Sequence, residues 1–578
     1  MTITFDKIEI KDGLLLRAFV ISMALFAFTL PIIHADFLFK DDLMRSVENW
    51  NLSTWLNDGR YGGLLVMGAL GFCHLSDIAP LPQLLWIPPL AFVLSAISLR
   101  FQFSFFLSVF AFSFVAIHPF FLENLSFRYE SLTMGLAVSL ALMPFAVPAF
   151  FQNDKIDQKS FIYSYNVLFP FLALNFYQPG VNLYGAFICF FALVSLFRLE
   201  ELQEILRILS LRIASLLSAL ILYFVETKFV NLLPIGRLDP DSYGERHALL
   251  TFDPHIILSN LADFWELLSL GIAQGTQGSF LGFCLLLGFL FLLKNIFVGM
   301  KKKETPQRSE QIFRFGLAIA MVLGIFFFLL GPQILLASPV YQPRTLIGFG
   351  GIAAILLCFL CGITSKDDHL KKLRYGLCCT AFLSEILLSF SYANAMKAQF
   401  EQNDYIVSQM VEDAIKFKAL GARYWTTHGP EPLALRAVRT FRNFPVTRRM
   451  LLSDGLEGKW EEVYVGDNID KVWRYLPQKN YDVDWDISVN RYWVYPEYLS
   501  EVIRSRGNFP ENLSVGWKDA NRPANERPIQ TYTERGLGKS FFNCTIDTSV
   551  EHAFYEADLI GVNLVFDYTK SCSSQKKQ

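Results

Sequence analysis

"LLLRAFVISMALFAFTLPII" (14–33) runs without a break into "HADFLFKDDLMRSVENW" (34–50). The first stretch is almost wholly apolar and has the length a helix needs to cross a bilayer. The second places Asp36, Lys40, the adjacent pair Asp41-Asp42 and Arg45 at the mouth of that helix. Apolar runs of this kind recur through the first two-thirds of the chain, which a soluble core does not require. Of the 578 residues, 53% are hydrophobic and only 18% charged, below the roughly 25% of soluble domains, and mean hydropathy is +0.34. The chain therefore reads as a polytopic α-helical membrane protein with a polar C-terminal part. A net charge of −2 gives no sign of a nucleic-acid partner. The first apolar run is too long for the core of a signal peptide, and no small-residue cleavage site follows it.

Hydropathy predicts eleven spans, at about 14–34, 80–98, 102–120, 132–151, 161–175, 182–198, 209–225, 277–296, 313–331, 345–363 and 375–393. "YGGLLVMGALGFC" (61–73) is too short and Gly-rich for a span and reads as an interfacial or re-entrant helix. Every second connection is basic: Arg100; Lys155 and Lys159; Arg198, Arg207 and Arg212; "KKK" (301–303) with Arg308; then Lys366, Lys371, Lys372 and Arg374. The positive-inside rule makes these connections and the N-terminus cytoplasmic. The alternate loops, 35–79, 121–131, 176–181, 226–276 and 332–344, then face outward. So does the tail, 394–578. Two domains are expected: a membrane module, 1–393, and an outward α/β or α+β domain, 394–578. The latter opens with a helix (394–420) and continues with short strands such as "ARYWTT" (422–427) and "EEVYV" (461–465).

Adjacent carboxylates repel, so Asp41-Asp42 carries an electrostatic cost that a solvated helix end does not need. The same loop holds Trp50, Trp55, Asp58, Arg60 and Tyr61. Such aromatics anchor helices at membrane interfaces and also stack on sugar rings. Beside them, a carboxylate can serve as general base on an acceptor hydroxyl while cations hold a phosphate leaving group. Three other outward segments have similar character. "ENLSFRYESLTMG" (123–135) supplies Arg128, Tyr129 and Glu130; "NFYQPGVNLY" (175–184) supplies Tyr177 and Gln178; "ASPVYQPRTLIGFG" (337–350) supplies Tyr341 and Arg344. Each arginine could equally snorkel to headgroups. It is their shared side of the membrane that suggests a composite site.

"KDDLMRS…W…DGRYGG", "ENLSFRYESLTM", "YQPGVNLY" and "YQPRTLIGFGG", in that order, resemble the phage-type O-antigen glucosyltransferases of serotype conversion, the Gtr family of the GT-C superfamily. The resemblance covers roughly residues 14–420. It implies a GT-C-like enzyme of the bacterial inner membrane with its C-terminal domain in the periplasm. The implied donor is an undecaprenyl-phosphate sugar, with glucose as the default hexose, and the implied acceptor is a lipid-linked or lipopolysaccharide O-antigen glycan. It further implies an acidic base in the first outward loop, hence Asp41 or Asp42, with Asp41 favoured, and a single displacement that inverts the anomeric centre. Arg60, Arg128 and Arg344 are then candidates for the donor phosphate. Lys40, Arg45, Tyr129, Glu130, Tyr177, Gln178 and Tyr341 are candidates for substrate contact, with Glu130 either orienting Arg128 or binding acceptor. A flippase, or a polymerase or ligase of lipid-linked oligosaccharides, is the alternative; a flippase would place charges inside several spans.

The remaining features are less specific. Seven of the nine cysteines lie in or beside apolar runs, and Cys358 and Cys361 lack the second pair a zinc site needs. Cys544 and Cys572 stand alone in the tail and could pair outside the cytoplasm. Glu385 falls eleven residues past Arg374, about 16 Å into the last span at 1.5 Å per residue, deep enough to need a partner. No cofactor is required by any motif: Walker and dinucleotide fingerprints are missing. The loop with Asp239, Asp241 and Asp253 has the charge to take a divalent cation without demanding one.

Overall fold

The computed structural model describes residues 10–40, 42, 45, 55–56, 58–146, 158–232, 249–299, 308–362, 370–419, 422–428, 434–451, 458–464, 471–477, 553–557 and 562–567. Two compact units divide the chain. One comprises Met1–Asp36, Trp50–Ala393 and Thr440–Met450. The other comprises Phe37–Asn49, Asn394–Arg439 and Leu451–Gln578.

The first unit is a helical bundle. Its opening helix, α1 (Ile10–Ala35), buries Leu14, Ile21, Leu25, Phe28 and Ile32, a three-to-four-residue repeat along one face. The opposite face exposes Leu15, Leu16, Phe19 and Met23, side chains that only lipid would cover favourably. Next come α2 (Tyr61–Leu70), α3 (Leu81–Leu85), α4 (Ile87–Arg100), α5 (Phe121–Ser126) and α6 (Ser131–Ala146). They are followed by α7 (Gln158–Phe176), α8 (Val181–Phe197), α9 (Leu202–Leu232) and α10 (Pro254–Ile272). The series continues with α11 (Gly275–Gly299), α12 (Arg308–Phe327), α13 (Ile347–Leu360) and α14 (Lys371–Ala419), of which the first unit takes the part up to Ala393.

Among the described residues, seven helices are long and apolar enough to cross a membrane: Gly13–Ala35, Leu81–Arg100, Gln178–Phe197, Leu202–Val230, Gly275–Val298, Ser309–Phe327 and Lys371–Tyr405. The protein is thus a polytopic helical membrane protein, and among the described residues not all of the eleven expected spans are regular helices of membrane length. The run expected to span 102–120 is broken into a π-helix (Leu107–Ala111) and a 3-10 helix (Phe112–Val115) before α5. From Ala111 to Phe127 every residue is buried, so neighbouring protein, not lipid, surrounds this irregular backbone. The expected span at 345–363 is α13, only 14 residues, all of them buried. At 1.5 Å per residue it is about 21 Å long, short of the ~30 Å hydrocarbon thickness, and it is tolerated because protein encloses it. Conversely α9 outruns its expected span, 209–225: its 31 residues continue to Leu232.

Phenylalanine fills the centre. Phe101 stacks on Phe191 at 3.8 Å, and Phe187 meets Phe112 edge-on at 5.6 Å. Phe145 lies 5.4 Å from Tyr184. Such ring pairs add about 0.5–1.5 kcal/mol beyond their area burial. Where α11 approaches α13, Gly288 provides the clearance: an added Cβ would stand 2.2 Å from the Leu356 carbonyl oxygen. Gly288→Val is expected to destabilise the bundle by about 1–3 kcal/mol, read as a lower unfolding temperature in detergent; an unchanged temperature would mean that these helices do not pack this closely. Glu385 is fully buried on α14 and accepts a hydrogen bond from Gln277 of α11.

In the second unit, β1 (Ala422–His428) pairs in parallel with β5 (Val562–Asp567), which pairs antiparallel with β4 (Ala553–Ala557). β2 (Gly458–Tyr464) and β3 (Lys471–Pro477) form an antiparallel pair. Strands therefore begin near both segments that read as strands, at 422 and 461.

Candidate functional site

The Asp58-Gly59-Arg60 turn leads into α2. Gly59 has a left-handed φ of +69°, and a Cβ there would lie 2.5 Å from the Tyr223 hydroxyl, so only glycine fits. The turn is held by its own backbone, the Arg60 N–H donating to the Trp55 carbonyl at 2.8 Å. It is also held by side chains: Tyr223 of α9 donates to the Gly59 carbonyl at 3.1 Å, and Gln178 donates to the Asp58 carbonyl at 2.8 Å and to the Tyr223 hydroxyl at 2.7 Å. Tyr223 lies near the end of the expected span, 209–225, and Glu226 on the part of α9 that continues past it. The Glu226 carboxylate accepts a bond from Asn175 at 2.8 Å. Beside it, Tyr61 is pushed up to about 12 by burial and by the Glu226 charge.

Arg60 itself is surrounded. Its Nη1 donates to Glu130 Oε2 at 2.9 Å and stands 3.9 Å from Asp58. Its guanidinium lies 5.0 Å over the Tyr177 ring. Glu130, at the entry to α6, uses its other oxygen to accept from the Trp55 indole at 2.8 Å. Burial alone would lower the Arg60 pKa; Glu130 above all, then Asp58 and Tyr177, more than reverse this, so it is raised and the cation is secure. The sequence offered Arg128 as a partner for Glu130; the ion pair that forms is with Arg60. Arg128 pairs with Asp36 at 2.8 Å and Asp77 at 3.0 Å. Tyr129, between Arg128 and Glu130, is buried.

Arg344 lies close to both Tyr177 and Arg60. It lies in a 3-10 turn, Pro343–Thr345, its guanidinium 4.9 Å over the Phe127 ring. Tyr177 donates its hydroxyl proton to the Arg344 carbonyl at 3.2 Å. Arg344 is near enough to oppose the charge on Arg60. Burial raises the Tyr177 pKa, while Arg344 and then Arg60 pull it back. Tyr177 thus feels both guanidinium charges.

The loop leading to Arg344 is fixed by α10, a helix within the stretch that hydropathy reads as the 226–276 loop. Asp253 caps α10 by accepting from the His255 N–H at 2.9 Å. Asn260 of α10 donates to the carbonyls of Ile334 and Leu336 at 3.1 and 2.8 Å and accepts from the Tyr341 hydroxyl. The Tyr341 ring lies 4.9 Å from Phe264. Tyr341 is accordingly engaged in holding α10 to the Arg344 loop.

The candidates at 40–45 belong to the other compact unit. Asp42 and Arg45 are both buried and face each other at 3.8 Å. Lys40 places its ammonium 4.9 Å from the Phe39 ring. Asp41, Cys544 and Cys572 lie outside the described residues, as do Asp239 and Asp241. Among the described residues, no three His, Cys, Asp or Glu side chains are grouped to hold a metal ion.

An uncharacterized 55.3 kDa protein from the gtrB 5' region of Salmonella phage P22 is 28% identical over 392 residues, 67% of this chain and 76% of that protein. No solved structure matches. The family model for the glucosyl transferase GtrII matches residues 30–355, the stretch that carries Arg60, Glu130, Tyr177 and Arg344. The chain belongs to the GtrII glucosyl transferase family, and is a membrane glycosyltransferase.

Proposed function

We propose that this enzyme transfers a hexose, by default glucose, from an undecaprenyl-phosphate sugar to an O-antigen glycan at the periplasmic face of the bacterial inner membrane. The observation that carries this reading is the convergence of Arg60 and Arg344 on Tyr177. Two neighbouring guanidinium groups, one over Tyr177 and one over Phe127, suit the oxygens of a phosphate, and a planar fork matches them better than an ammonium does. Asn175, Glu226 and Tyr61 beside them offer amide, carboxylate and hydroxyl groups of the kind that bind sugar hydroxyls.

In the reaction the acceptor hydroxyl oxygen attacks the anomeric carbon. The bond from that carbon to the phosphate oxygen breaks, its electron pair leaves on undecaprenyl phosphate, and the hydroxyl proton passes to a first-loop carboxylate, Asp41 in preference to Asp42. The configuration inverts. The donor phosphodiester carries one negative charge and the departing phosphate gains a second. Cations at this position therefore bind the transition state more strongly than the ground state and act on kcat.

The test is transfer of labelled glucose from undecaprenyl-phosphate glucose in membranes containing the enzyme and an O-antigen acceptor. Label is expected in the acceptor glycan. Movement of the donor across the bilayer with no label in the glycan would replace this reading with the flippase one.

A further inference from the structure

Glu123 has no part in the contacts described so far. It lies on α5, in the first turn of a short helix whose six residues are all buried, and it is itself 0% exposed. A carboxylate at such a position is costly unless hydrogen-bonded. One of its oxygens accepts from the backbone N–H of Arg344 at 2.8 Å. That N–H is one the 3-10 turn cannot satisfy internally: it is in the turn's first positions, Pro343 before it has no N–H, and Gln342 provides no side-chain cap. The carbonyl of the same residue is held from the other side by Asn124, the next residue of α5, at 3.2 Å and by Tyr177 at 3.2 Å. The main chain of Arg344 is therefore gripped at both its donor and its acceptor by buried side chains, while Phe127, one residue past α5, lies under the guanidinium. Four groups, three from a single short stretch together with Tyr177, thus hold one arginine.

We propose that Glu123 is a positioning residue for the donor phosphate: by capping the Arg344 N–H opposite the Asn124 and Tyr177 bonds, it aims the Arg344 guanidinium at the place it shares with Arg60. The inference rests on the reading above that these two arginines take the phosphate. Aim matters because misplacing a reacting group by about 1 Å can cost on the order of a hundredfold in rate. The function assigned to Glu123 is that of an acceptor, not of a charge, which separates it from a catalytic acid or base.

The experiment measures binding of undecaprenyl phosphate, the doubly charged product, to purified enzyme, together with kcat for transfer from undecaprenyl-phosphate glucose. Glu123→Ala is expected to weaken product binding by roughly tenfold, the loss of one charge-assisted hydrogen bond, and to lower kcat more than it raises KM. Glu123→Gln keeps an acceptor for the Arg344 N–H and is expected to restore binding to within about threefold of wild type. Glu123→Ala combined with Arg344→Ala is expected to be no worse than Arg344→Ala alone, because the two act as a unit. Should Glu123→Gln bind as poorly as Glu123→Ala, or the double variant show additive losses, the positioning role is overturned. If Arg60→Ala and Arg344→Ala both bind undecaprenyl phosphate like wild type, the phosphate reading itself fails, whatever Glu123 does. Where Glu123→Ala does not accumulate as folded protein, Asn124→Ala carries the test: a smaller loss of the same kind supports the grip, and unchanged binding refutes it.

Discussion

Asp41→Asn is expected to lower glucose transfer by about 10²–10⁴-fold, the usual contribution of a positioned general base, with protein levels unchanged. Asparagine keeps the shape and cannot take the acceptor proton. Asp42→Asn has a different expected signature. Asp42 is fully buried and faces the Arg45 guanidinium at 3.8 Å; removing its charge weakens the compensation of a buried cation, and breaking such pairs costs about 3–5 kcal/mol. Loss of folded protein is therefore expected from Asp42→Asn, and loss of turnover from Asp41→Asn. Initial rates in membranes, normalised to folded enzyme, separate the two. If both variants transfer at the wild-type rate, the first loop does not hold the base, and the mechanism proposed above is wrong.

Arg60→Ala is expected to reduce kcat by about 10²–10³-fold, comparable to deleting one preorganised group that stabilises developing negative charge. It is also expected to lower the unfolding temperature, since Glu130 would keep its buried charge while losing the Nη1 bond at 2.9 Å. Arg60→Lys separates these effects. A lysine keeps a positive charge near Glu130 but has no planar fork for phosphate and none for stacking on Tyr177. Recovery of much of the stability with only partial recovery of kcat is the expected outcome, measured by thermal unfolding in detergent and by steady-state transfer. Wild-type kcat in Arg60→Ala would remove Arg60 from the phosphate site and leave it a structural cation.

Several parts of this arrangement were legible in the sequence for a physical reason. Polar and aromatic residues at the ends of apolar runs stand out against hydrocarbon-facing surroundings. Arg60, Glu130, Tyr177, Gln178 and Arg344 come from segments chosen on that ground, and the fold joins them through direct contacts. What was not legible has equally definite causes. Glu123 sits in a stretch where Phe120, Phe121, Leu122 and Leu125 are as buried as it is, so nothing in the pattern sets it apart from a solvated span end. Tyr223 and Glu226 fell at or beyond the expected end of their span, because hydropathy locates the hydrocarbon and not the end of a helix that outruns it. The helix α10 does show helical spacing, burying Asn260, Phe264, Leu267, Leu268 and Gly271 after an Asp-Pro start. Hydropathy alone does not mark it, because it is not among the apolar spans. The π and 3-10 turns of Leu107–Val115 could not be told from a regular span, since all-round burial erases the periodicity that separates one helix type from another.

That last segment bears on how the protein is made. A regular apolar helix such as α1 satisfies its own backbone and can be released into lipid as soon as it is synthesised. The stretch from Ala111 to Phe127 cannot: its irregular turns leave main-chain groups that lipid would not satisfy, and it is covered at every residue by protein. For α1, insertion can precede packing. For this segment the two are one event, and its neighbours must already be in place to receive it. Biogenesis of the enzyme thus has an order written into it, with the turn that leads to Glu123 and Arg128 among the late arrivals.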